Sequence, residues 1–98
     1  MSNPEFTLEL SQAAEQDLAD ILRYTALTWG KLQRTKYTAI LDEALGKIAD
    51  NPNVGRYKYA YDAYFFKAGR HVIIYLVKRK TVFVIRVLHD RMNPDNYL

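Results

Sequence analysis

The segment Gly69-Arg70-His71-Val72-Ile73-Ile74-Tyr75-Leu76-Val77, continued by Lys78-Arg79-Lys80-Thr81 and by Val82-Phe83-Val84-Ile85-Arg86-Val87-Leu88-His89-Asp90-Arg91-Met92, decides the fold. Two runs of β-branched and aromatic residues flank a short charged turn, which is the pattern of an antiparallel hairpin. Side chains alternate across a strand, so Val72, Ile74 and Leu76 share one face while Ile73, Tyr75 and Val77 share the other. Both faces are apolar. Such strands belong inside a sheet that has helices over one side and at least partial cover on the other. Because the hairpin folds back on itself, its charged turn lies at one end and Arg70 meets His89 at the other. Basic groups remote in sequence collect there.

Upstream lies Tyr57-Lys58-Tyr59-Ala60-Tyr61-Asp62-Ala63-Tyr64-Phe65-Phe66-Lys67, which holds four of the eight tyrosines and two of the four phenylalanines. Its second half, Tyr64 to Lys67, is expected to pair as a strand with the run after Arg70, and its first half reads as an irregular loop or an edge. Interleaved tyrosine and lysine also suit a stacking surface for single-stranded nucleic acid. Packing accounts for the aromatic residues equally well.

Asn51-Pro52-Asn53-Val54-Gly55 is a turn-rich link, and the residue before a proline is pushed out of helical geometry. Before it, Tyr37, Ile40, Leu41, Ala44, Leu45 and Ile48 recur at helical spacing. So do Ala14, Leu18, Ile21, Leu22, Thr25 and Trp29, with Ser11 as N-cap, Glu15 and Asp17 supplying negative charge to the first turn, and Gly30 as the stop. The two helices form an antiparallel hairpin whose apolar stripes cover the sheet. Phe6-Thr7-Leu8-Glu9-Leu10 alternates like a half-buried first strand. The tail from Met92 to Leu98 lacks periodicity.

Ninety-eight residues, 49% of them hydrophobic, suffice for one domain with its own core. The chain has no cysteine, which excludes disulfide frameworks, thiolate zinc sites and cysteine nucleophiles. No basic, apolar leader opens the chain, and no segment reaches the roughly 20 apolar residues of a membrane span. The net charge of +3 divides unevenly, with −3 over residues 1–50 and +6 over residues 51–98. A basic sheet half suits an acidic partner, either nucleic acid or protein, or serves solubility alone.

The order strand, helical hairpin, three-stranded antiparallel meander resembles the RelE/ParE superfamily of bacterial toxins, an α+β fold of β-α-α-β-β-β order. The motifs point to its ParE branch: Leu10-Ser11-Gln12-Ala13-Ala14-Glu15-Gln16-Asp17-Leu18, Ile21 and Tyr24, Trp29-Gly30, Asn51-Pro52 and Gly55, Gly69-Arg70-His71 with Ile74-Tyr75, and Arg86 to Asn93. The resemblance covers essentially the whole chain, residues 1–98, as a single toxin domain. It implies a cytoplasmic toxin of a type II toxin-antitoxin module that traps DNA gyrase on cleaved DNA without catalysing a reaction itself. It further implies neutralisation by a ParD-like antitoxin, with operator DNA contacted only through the antitoxin complex, and no cofactor, metal or membrane. Target-binding residues are then expected among Lys67, Arg70, Arg86, His89 and Arg91, and antitoxin contacts among Tyr64, Phe66, Trp29 and Tyr37. Tyr64 and Phe65 stand where relatives often carry a basic residue.

The RelE branch offers a rival reading, a ribosome-dependent mRNA endoribonuclease, and an inactive toxin serving only as antitoxin partner or corepressor is a third. RNA cleavage by 2′-hydroxyl attack needs a base, an acid and cations. Lys67, Arg70, Arg86, Arg91, His89 and Tyr97 form the available set, with His89 as the natural acid or base because it is an imidazole. Against this, His89 reads as a strand-end residue bonded to a backbone carbonyl, His71 as a cross-strand packing or hydrogen-bonding residue, and Arg86 as the partner of a carboxylate. Lys78, Arg79 and Lys80 read as a solvated turn that discourages edge pairing. Histidines and carboxylates show no metal-ligand spacing, and no phosphate loop or nucleophile motif is present.

Overall fold

In a computed structural model, residues 6–98 are described, so the reading of the first five residues lies outside them. Strand β1 (Thr7–Leu10) leads into helix α1 (Gln12–Trp29), which Gly30 separates from α2 (Lys31–Asp50). After a 3-10 turn at Pro52–Val54 come β2 (Arg56–Lys58), β3 (Ala63–Ala68), β4 (His71–Lys78) and β5 (Thr81–His89). The sheet order is β1-β5-β4-β3-β2, with β1 parallel to β5 and the other neighbours antiparallel. The expected meander is therefore preceded by a further short strand. Arg56–Lys58 pairs with Ala63–Phe65, so the aromatic segment begins as an edge strand at Tyr57 and Lys58 and then turns through residues 59–62.

Local signals placed the helix ends. The Ser11 hydroxyl accepts from the Ala14 amide at 3.0 Å, as an N-cap does. Gly30 breaks the helices with a φ of 94°, a conformation that costs glycine no Cβ clash. The stripes meet the sheet through Ala14, Leu41, Ala44 and Ile48, which close over Ile73, Tyr75, Val82, Val84 and Val87. On the other face, Ala63, Phe65, Ile74 and Leu88 form a second buried cluster with Tyr61 packed against it. The tail is tied to that side, because the Tyr61 hydroxyl donates to Asp95 and Arg86 donates to the Tyr97 carbonyl at 3.0 Å.

A bulge in β5 sorts the polar from the apolar residues. Val82 faces Val77 and Val84 faces Tyr75, but Arg86, not Ile85, stands opposite Ile74. Strict alternation would have aimed Arg86 into the helix-covered core. The extra residue puts it on the outer face and gives the inner position to Val87. Beyond Leu10, β1 no longer pairs with β5, and α1 satisfies the exposed strand edge instead. The Ser11 hydroxyl donates to the Ile85 carbonyl at 2.8 Å, and the Asp17 carboxylate accepts the Val87 amide at 2.9 Å.

Glu15 is the acidic residue of the first helical turn, and Asp17 lies beyond the turn expected for it. Its role is tertiary: it grips the Arg86 guanidinium with two bonds of 2.8 Å. That pairing and burial within the β5 edge, rather than the helix dipole, account for the aspartate at this position. The Arg86 pKa is accordingly raised, chiefly by the Asp17 hydrogen bonds.

Candidate functional site

α1 runs alongside β5, with Asp17 beside Val87 and Ile21 near the end of the strand. Eight further residues carry Trp29 about 12 Å beyond Ile21 at 1.5 Å per residue. The hairpin thus overhangs the sheet, and the apolar stripe outlasts the surface it was expected to cover. Trp29 is 70% exposed for this reason, and Ile40 on α2 stays partly exposed beside the same opening.

Beneath the overhang lies a cleft of about 690 Å³, walled by Tyr24 and Trp29 on one side and by Arg70, His71 and His89 on the other, with Tyr37 between them. Of the residues singled out from sequence, Arg70, His89, Trp29 and Tyr37 come together here. His71 and Tyr24 join them without having been assigned to the site. The register His71↔His89 brings the two imidazoles edge to face, 5.3 Å between centroids.

Tyr37 organises the sheet end. Its hydroxyl accepts the Arg70 amide at 2.9 Å and bonds to Nδ1 of His71. Burial lowers the His71 pKa, with repulsion from His89 adding to it, which favours the neutral ring, whose Nδ1 accepts the hydrogen bond that the Tyr37 hydroxyl donates. Burial also raises the Tyr37 pKa, which keeps the phenol protonated. Gly69 has a φ of 61°, and a Cβ there would stand 2.8 Å from the Tyr37 ring. A side chain at this turn is excluded twice over. Tyr37 therefore works as a clamp on the turn that carries Arg70.

A second tyrosine does the same at the other loop. The buried Tyr75 hydroxyl donates to the Pro52 carbonyl at 2.6 Å and accepts the Gly55 amide at 2.9 Å.

The remaining assigned residues are dispersed. Lys67 forms an exposed pair with Asp90 at 3.5 Å, and Arg91 lies in the turn after β5. Arg86 is held by Asp17 on the outer face, as a carboxylate partner rather than a free cation. Tyr64 stacks on Tyr75 with centroids 5.3 Å apart, and both Tyr64 and Phe66 pack beside the helix-side core. The Nδ1 atom of His89 accepts the Arg91 amide at 3.1 Å and lies 3.2 Å from Asp90. Its backbone partner is thus an amide rather than a carbonyl. Arg70 and Arg91 have no side-chain partner among the described residues. No cluster of three or more metal-ligating side chains occurs among them, and no helix there is long and apolar enough to cross a membrane.

The fold is shared with a solved chain of the chromosomal ParDE TA system from P. aeruginosa, which superposes with a TM-score of 0.77, covering 89% of this chain and 98% of that one at 16% identity. Sequence carries the assignment further. The model of the ParE toxin of type II toxin-antitoxin systems, parDE, matches residues 8–94. Toxin ParE1 of Mycobacterium tuberculosis is 37% identical over 92 residues, and Toxin ParE1 of Caulobacter vibrioides 35% over 91, each alignment covering 91% of this chain and 94% of the relative. The chain belongs to the ParE toxin family of type II toxin-antitoxin systems.

Proposed function

We propose that this toxin acts in the cytoplasm by inhibiting DNA gyrase, holding the enzyme on cleaved DNA so that replication stops, and that a ParD-like antitoxin neutralises it. Family membership across residues 8–94 carries this reading, since that branch of the superfamily is the one whose resemblance implies gyrase as target. Operator DNA is then contacted only through the toxin-antitoxin complex.

The site geometry supports binding over catalysis. Among the candidate groups for RNA cleavage, the Arg86 guanidinium is engaged by Asp17 and Nδ1 of His89 accepts a backbone amide. Arg70 and Arg91 remain as cations unpaired among the described residues at the basic sheet end, suited to an acidic partner surface. An acidic, amphipathic antitoxin segment matches the same chemistry.

Expression of the toxin without antitoxin tests the reading when DNA and protein synthesis are followed separately. DNA synthesis is expected to stop first, and an Arg70→Ala, Arg91→Ala double variant is expected to fold and lose the effect. Arrest of translation with cut mRNA, lost in His89→Gln, would support the endoribonuclease alternative instead. No growth defect at all would leave the protein as an inactive partner of its antitoxin.

A further inference from the structure

The cleft under the helical overhang joins two unlike walls. Tyr24 and Trp29 are 65% and 70% exposed, and their ring faces stack on no other ring among the described residues. Opposite them stand Arg70, whose side chain has no partner among the described residues, with His71 and His89. The carboxylate at this end, Asp90, is already engaged by Lys67 at 3.5 Å. Gln33 lines the same space and offers an amide that both donates and accepts. The volume of about 690 Å³ falls within the range of small-ligand sites.

Open aromatic faces next to a guanidinium suit one kind of ligand above others, a planar base bearing a phosphate. Bases stack on aromatic side chains whatever their sequence, and arginine takes phosphate oxygens through paired N–H groups. An acidic aliphatic peptide would use the same cation but gain little from two exposed rings.

We propose that this cleft binds a nucleotide, with the base against Trp29 and Tyr24 and the phosphate at Arg70 and His71. The same chemistry is presented by a free mononucleotide and by an unstacked residue of a single strand. Neither source depends on gyrase being the target.

Trp29 is the only tryptophan in the chain, so its fluorescence reports on the cleft directly. The full chain is titrated with dTMP, a short oligodeoxythymidylate, thymidine and inorganic phosphate. Saturable quenching is expected with the two nucleotide probes, with thymidine and phosphate weaker by about fivefold or more. Equal affinity for dTMP and the oligonucleotide would identify the free ligand, and tighter oligonucleotide binding would identify the strand.

Arg70 supports the fold through its backbone rather than its side chain, so Arg70→Ala is expected to fold and to weaken binding about fivefold or more. Lys78→Ala removes the same charge at the opposite end of the sheet and is expected to change binding less than about twofold, the scale of a screened distant charge. Absence of saturable quenching, an equal response to phosphate alone, or equal losses in the two variants would overturn the proposal. Quenching by an acidic aliphatic peptide where nucleotides give none would do so too.

Discussion

Replacing Asp17 by alanine removes the acceptor of three hydrogen bonds at once, two from Arg86 at 2.8 Å and one from the Val87 amide at 2.9 Å. Hydrogen bonds to charged groups contribute roughly 1.5–3 kcal/mol each, but bonds to one carboxylate are not additive. Losing one partner of a fully buried ion pair costs about 3–5 kcal/mol. Here the side chains keep 14% and 23% exposure for Asp17 and Arg86 respectively, so water relieves part of the stranded charge. The expected loss is about 3 kcal/mol, from the low end of that range. At about 4–8 °C per kcal/mol for a chain of this size, the midpoint of thermal unfolding should fall by at least about 12 °C.

Arg86→Ala is expected to be milder, about 1.5 kcal/mol, because Asp17 keeps the Val87 amide and water reaches the vacated side. Urea unfolding of the two single variants and the double variant measures the coupling, expected at about 1–2 kcal/mol. An Asp17→Ala loss below about 1 kcal/mol, or a larger loss in Arg86→Ala than in Asp17→Ala, would refute the assignment of Asp17 as the group that closes the β5 edge.

Tyr37→Phe keeps the ring but strands the Arg70 amide and His71, so a loss of about 1–2 kcal/mol is expected by urea unfolding, with the turn amides of Gly69 and Arg70 exchanging faster with solvent. The His71 pKa is lowered in the fold, so the unfolded chain takes up the proton first as pH falls. The corresponding stability is present above about pH 6.5 and is lost as pH drops through the folded value. His71→Phe should flatten that acid-side decline, and an unchanged slope would count against a neutral buried imidazole. Gly69→Ala combines a left-handed φ with a 2.8 Å approach to Tyr37, whereas Gly55→Ala has an ordinary φ of −77° and meets only the Tyr75 hydroxyl end of its ring. Both are expected to destabilise by more than about 1 kcal/mol, which thermal unfolding would check.

What could be read from the sequence was what local rules encode. The charged turn between two β-branched runs, the serine cap, Gly30 and Asn51-Pro52 each set a boundary within a few residues, and the structure puts its elements there. The site was legible only in outline. Folding back the hairpin brings Arg70 and His89 to one end whatever else happens, but the period of a stripe cannot say where the sheet beneath it stops. Trp29 therefore read as a covering residue and stands at an open lip. Arg86 and Asp17 are 69 residues apart, and neither the bulge that re-aims the arginine nor its partner leaves a mark in the local pattern. Tyr37 is similar: its helical spacing marks an inward face, while its work lies in a hydroxyl that reaches a turn 33 residues away.

Gyrase inhibition is tested most directly by incubating the purified toxin with gyrase, ATP and relaxed plasmid, then denaturing and deproteinising before electrophoresis. Linear DNA is expected to accumulate with toxin concentration only when gyrase is present, and to diminish with the Arg70→Ala, Arg91→Ala variant. Undisturbed supercoiling at toxin concentrations that cut mRNA in a translating extract would contradict the assignment of gyrase as the target.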